Sequence, residues 1–224
     1  MVKVKVSAGA LGDLSLLSPE YWLSSISADG MGAGTVLGEI VSLQKKSTSD
    51  VADAFVLDTG NSDRGLLVLP FITGKNSAPR VSTKKVAPEG AVILSRLRPY
   101  LQQVAYIPHG ICDVLGIERI LCSTEYYVLV SKDDRHSIAY LVPWLLSEGV
   151  QTVFEQATTG GHHPRFNEEL ILKLTVPDHV IARRDETSRR VEQSVLDHVR
   201  AQLDVRALIA SVNGQSSSVD SVPS

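Results

Sequence analysis

Six cations fall between Lys75 and Tyr106, namely Lys75, Arg80, Lys84, Lys85, Arg96 and Arg98, against the single acid Glu89. That window carries +5 inside a chain of net −3, which leaves −8 for the remainder. A basic patch confined to one part of an acidic molecule is the pattern of a local contact with a polyanion. Lys84, Lys85 and Arg96 are of the type that holds phosphate oxygens, and Arg98 and Tyr100 are of the type that meets base edges. A second group lies in Thr158-Thr-Gly-Gly-His-His-Pro-Arg-Phe166. There Gly160 and Gly161 let backbone amides approach a phosphate closely, and His162, His163 and Arg165 can donate to phosphates or bases. The plainer alternatives are an edge strand guarded by charge and an ordinary loop with a chance histidine pair.

The elements that would position these groups read as follows. Lys84 and Lys85 precede a Pro88-Glu89-Gly90 turn, and the apolar run Ala91 to Leu94 predicts a buried strand that delivers Arg96, Arg98 and Tyr100 at its end. Short apolar runs at 40–43, 54–57 and 66–71 alternate with Ser/Thr/Asp/Asn/Gly clusters and predict short strands. Further strands are expected over 102–107 and 125–130, and helices over 137–156, where Pro143 implies a kink or a helix beginning just before it. Asn167-Glu168-Glu169 can cap one helical turn ahead of a strand over 171–176. Residues 183–211 predict a helix about 43 Å long. Val191, Val195, Leu196, Val199 and Leu203 give it an apolar stripe narrow enough to suggest a partner helix and hence dimerisation.

Ser82-Thr-Lys-Lys-Val86, Ile93-Leu-Ser-Arg-Leu-Arg-Pro-Tyr-Leu101 and Cys122-Ser-Thr-Glu-Tyr-Tyr-Val-Leu-Val130 together resemble the target recognition domains of type I restriction-modification specificity subunits. Leu17-Ser-Pro-Glu-Tyr-Trp22, Leu37-Gly-Glu-Ile-Val-Ser-Leu43 and Thr158 to Arg165 continue the series in the same order, over about residues 15 to 211. The phrase that usually opens the family's long helix, a proline pair followed by Glu-Gln, is replaced by Pro177-Asp178-His179. The resemblance implies an α+β fold, a mixed sheet with packed helices over residues 1–180, followed by a long helical spacer over 181–213. It also implies a non-catalytic reader of double-stranded DNA that serves a methyltransferase subunit, with a restriction subunit as a further candidate partner. One recognition domain and one helix amount to a half-length subunit that a twofold homodimer through the C-terminal helix would complete.

Composition narrows the alternatives. At 43% hydrophobic the 224 residues can build a real core, and no apolar run approaches membrane-spanning length, so a cytoplasmic protein is expected. Cys112 and Cys122 are too few for a disulfide framework. With His109, His162 and His163 they lack the close pairs that nucleate zinc sites, so neither metal nor cofactor is expected. Asp29-Gly-Met-Gly-Ala-Gly34 lacks the lysine and hydroxyl residue of a phosphate loop and reads as a flexible connector. Asp58-Thr-Gly matches an aspartyl-protease triplet but has no second copy, and reads as a turn. The Ser-rich residues 214–224 read as a disordered tail. No methyltransferase or nuclease signature is present, and catalysis is expected elsewhere. Two competing readings remain: an interaction module of a defence complex that keeps the fold without reading bases, and a hydrolase using Cys112 or Cys122 with a histidine.

Overall fold

The computed structural model describes residues 33–69, 82–157 and 165–216. In chain order the elements are β1 (Gly34–Val36), α1 (Leu37–Ile40), β2 (Val41–Leu43), β3 (Ser47–Thr48), β4 (Ala54–Leu57), β5 (Ser62–Asp63), β6 (Leu66–Leu67) and β7 (Lys84–Val86). Then follow β8 (Val92–Ser95), β9 (Val104–Tyr106), α2 (Ile111–Leu115), β10 (Arg119–Cys122), β11 (Tyr126–Ser131), α3 (Leu141–Leu145) and α4 (Glu148–Gln156). The described chain closes with α5 (Glu168–Lys173), β12 (Thr175–Pro177), α6 (Asp178–Ile181) and α7 (Arg184–Ser216). The fold is α+β, with a mixed set of sheets, packed helices and a long C-terminal helix.

An antiparallel sheet in the order β2-β11-β8-β9 lies at the centre, and its strands are apolar on both faces. Val92 and Leu94 of β8 and Tyr127 and Leu129 of β11 face one core, which α3, α4 and α5 close with Trp144, Phe154 and Ile171. Ile93, Tyr126 and Val128 face the opposite way, into a second core with Leu57, Ile120 and Cys122 of a four-stranded sheet ordered β3-β7-β10-β4. Covering both faces is why Ala91 to Leu94 reads as an unbroken apolar run and not as an alternation. In the second sheet β10 runs parallel to β4 and antiparallel to β7.

The second core is completed by the long helix. Val195 and Val199 are 1% and 0% exposed, and Val191, Leu196 and Leu203 are half-buried beside them. Polar side chains fix the same length of helix: Ser188 Oγ accepts from the Tyr140 amide at 3.1 Å, and Gln202 donates to the Leu67 carbonyl at 2.8 Å and accepts from the Leu69 amide at 2.8 Å. The stripe expected to face a partner helix therefore faces the chain's own body. Its narrowness reflects a long helix that needs only one row of valines to seal a core that sheets already enclose. The helix also runs through Gly214 to Ser216, past the expected start of a disordered tail. Neither α2 nor β10 was expected, since Ile111 to Cys122 shows no clean apolar period. Pro143 lies in the first turn of α3, where an amide has no intrahelical acceptor, so it opens the helix without kinking it. Gly34 is a strand residue: a Cβ there would strike the Val176 carbonyl of β12, so the close pairing of β1 and β12 requires glycine. Residues 29–32 of that glycine-rich segment and the Leu17 to Trp22 motif lie outside the described residues.

Candidate nucleic-acid interface

The end of β8 leads into the hairpin tip, residues 96–103, before the chain returns as β9. Arg98 (φ 46°) and Gln102 (φ 51°) both take the left-handed backbone conformation on either side of a 3-10 turn, Pro99–Leu101. Each such non-glycine residue is strained by an estimated ~1–2 kcal/mol, and strain of this kind persists where the surroundings over-determine it. Here they do: the Arg64 amide donates to the Gln102 carbonyl, the Gln102 amide to the Pro99 carbonyl, and the Ser95 amide to the Gln103 carbonyl. The turn places Pro99 in the interior and leaves Tyr100 59% exposed and Leu101 41% exposed. Arg98 is exposed and makes no ion pair with the described residues.

Beside this tip two of the expected cations meet a carboxylate that the sequence did not single out. Glu125, in the turn before β11, accepts from Arg96 Nε at 2.8 Å and from Arg165 Nη2 and Nε at 2.8 and 3.1 Å. Its side chain is 22% exposed, and those of Arg96 and Arg165 are 35% and 40% exposed. The Arg165 guanidinium, followed by burial that opposes it and by the Arg96 guanidinium, holds the Glu125 carboxyl down to about 2. The two arginines lie about 70 residues apart in sequence, and the fold joins them through a bridge between Leu97 and Arg165. Phe166 anchors the arriving chain, stacked on Phe154 with ring centroids 4.5 Å apart, while its carbonyl accepts from the Tyr127 hydroxyl at 2.8 Å.

The two lysines are placed differently. Lys85 Nζ donates to the Tyr126 carbonyl at 2.6 Å and lies 5.6 Å from the Tyr127 ring centroid, and burial lowers its pKa. Lys84 Nζ is 3.7 Å from Asp58, with its side chain only 16% exposed. Both are engaged within the domain, so a phosphate-holding role, which needs a solvent-facing ammonium, does not match their placement. Gly160, Gly161, His162 and His163 lie outside the described residues. Glu89, the lone acid of the basic window, is structural. Burial raises its pKa, but amides donated by Cys112 at 2.9 Å and Gly110 at 3.0 Å outweigh that and lower it, so it caps the start of α2.

Cysteine nucleophilicity is poorly supported by these surroundings. Burial first, then Glu89, pushes the Cys112 thiol up to about 11, and burial pushes Cys122 up to about 12. At neutral pH both are thiols, not the thiolates that attack substrates. Asp58-Thr-Gly forms a capped 3-10 turn in which Asn61 Oδ1 accepts from the Asp58 amide at 2.8 Å. Among the described residues no group of three or more His, Cys, Asp or Glu side chains is arranged to hold a metal, and no helix is long and apolar enough to cross a membrane.

No family model and no curated protein matches this chain. Solved structures similar to it include the following two. One, from work on complex assembly and conformational transition of the type I R-M system, is 19% identical with a TM-score of 0.48, covering 86% of this chain and 52% of that one. The other, the HsdS subunit from Thermoanaerobacter tengcongensis, is 19% identical with a TM-score of 0.47, covering 83% of this chain and 46% of that one. The chain spans about half the length of each.

Proposed function

We propose that this chain is a sequence-reading subunit that binds double-stranded DNA without catalysing a reaction and directs a partner methyltransferase or nuclease to its site. The observation that carries the reading is the braced tip. Two left-handed residues hold Arg98 and Tyr100 in solvent, next to an arginine pair organised by Glu125. A rigid cationic projection with an aromatic at its apex can enter a groove, contact phosphates and reach base edges. Arg96, Arg98, Tyr100 and Arg165 form this surface, while Lys84 and Lys85 support the strand behind it. The partner class comes from the order of sequence motifs that resembles type I specificity subunits.

Selection of duplexes from a randomised pool at moderate salt tests this directly. The wild type is expected to enrich a defined motif, and the double variant Arg98→Ala, Arg165→Ala to lose that preference along with roughly ten- to a hundredfold of affinity. Unchanged affinity and preference in the double variant would sink the placement of the reading surface.

One observation favours a second reading, an interaction module that assembles a complex through its helix. Beyond Leu203, Val205, Leu208, Ile209 and Val212 are exposed at i, i+3, i+4 and i+7 spacing, the pattern of a helix seam. The same stripe would also fit a homodimer of DNA readers, so salt response is what separates the two readings. A DNA reader loses affinity steeply as salt rises, whereas a helix-driven assembly does not.

A further inference from the structure

We propose, on the footing that the chain reads duplex DNA, that Glu125 is a positioning residue that presents Arg96 to a guanine, and that Arg96 is a base-reading side chain and not a phosphate anchor. Glu125 takes the Nε of Arg96 at 2.8 Å. It therefore leaves the terminal amino edge of the guanidinium, the edge whose spacing matches O6 and N7 of guanine, out of the carboxylate contact, with the Tyr127 hydroxyl as the guanidinium's second neighbour. The carboxylate is itself oriented, because its other oxygen accepts from Arg165 Nη2 at 2.8 Å and its own amide donates to Ser123 Oγ at 3.3 Å. Arg96 is thus held from behind at the end of a fully buried strand, with its backbone amide donating to the Glu125 carbonyl at 3.0 Å. A free arginine would lose several rotatable bonds on meeting a base, and one already fixed loses little. A phosphate anchor has no such requirement, since a mobile charge satisfies a phosphate as well as a fixed one.

The test compares duplex selection from a randomised pool, with preference scored position by position, for the full-length wild type, Glu125→Gln and Arg96→Lys. Melting temperatures are read on the same samples. Arg96→Lys keeps the charge and leaves the Glu125–Arg165 pair intact, so it serves if Glu125→Gln proves unstable. Both variants are expected to lose preference for one and the same guanine by on the order of tenfold, with the other positions of the motif retained. Three outcomes overturn the assignment: full preference retained in Glu125→Gln, loss at different positions in the two variants, or weakening spread evenly over all sequences in step with a fall in melting temperature. If the wild type itself enriches no motif, the DNA-reading function fails first and takes this assignment with it.

Discussion

Glu125 shows how one side chain turns two long-range sequence features into a surface. Two guanidinium groups converge on a partly buried carboxylate, and either arginine alone would leave the cluster asymmetric. With its folded pKa near 2 against an ordinary 4.5, the carboxylate favours the folded state at every pH above about 4.5. That contribution disappears as pH falls through the interval from about 4.5 to about 2, because the unfolded chain takes up the proton first. In thermal melts across that interval the wild type should lose more stability than Glu125→Gln, whose amide does not titrate. Parallel profiles for the two proteins would show that the cluster contributes nothing to folding. Arg98 and Gln102 act at the same scale by a different route. Their backbone conformation is the strained one, and the hydrogen bonds from Arg64 and Ser95 on either side hold it.

The long helix divides into two lengths with opposite surroundings. From Ser188 to Leu203 it is part of the domain, and Val199 has no solvent contact at all. Beyond Leu203 its apolar residues are exposed, Leu208 to 66%. Val199→Ala should therefore destabilise the chain by about 1–3 kcal/mol, from lost burial and the cavity left in the second core. Leu208→Ala should leave chemical denaturation of the dilute chain within about 0.5 kcal/mol of wild type. Equal effects at the two positions would contradict this division. Much of the element pattern was legible in the sequence: β4 and β9 fall within the expected apolar runs, β8 and β11 each run one residue past theirs, and Asn167 caps α5, its Oδ1 accepting from the Leu170 amide at 2.9 Å, although α5 runs on to Lys173 and leaves only β12 of the strand expected over 171–176. The side of the helix that meets the body was not legible, because a single valine stripe looks the same whether a second copy or the chain's own sheets lie against it. The pairing of Arg96 and Arg165 was hidden for a similar reason. Glu125 sits in the turn ahead of an ordinary strand, and only the fold brings to it one arginine from 29 residues earlier and another from 40 residues later. The one local signal was an acid immediately before the two tyrosines of β11, whose rings point into opposite cores.

At the scale of the whole molecule, a net charge of −3 sets the long-range field against DNA, so the proposed contact at the tip would have to overcome it locally. Binding of this kind rests on counterion release, which scales with the number of phosphates neutralised and not with total charge. If each copy of the tip neutralises about three phosphates, the logarithm of affinity should fall against the logarithm of salt with a slope of about −3 for one copy and about −6 for two. The exposed Val205 to Val212 stripe decides which applies, since a pair joined there would carry two tips and read a motif repeated in inverted halves. Leu208→Asp should therefore convert a two-copy assembly into single chains by sedimentation. The same change should halve the salt slope and reduce the selected motif to one half-site without disturbing the fold, because Leu208 touches solvent and not the core. A slope that stays steep, with an intact inverted repeat, would mean that the two tips are joined elsewhere. A slope near zero in the wild type would mean that the tip is not a DNA contact and that the helix alone performs the assembly.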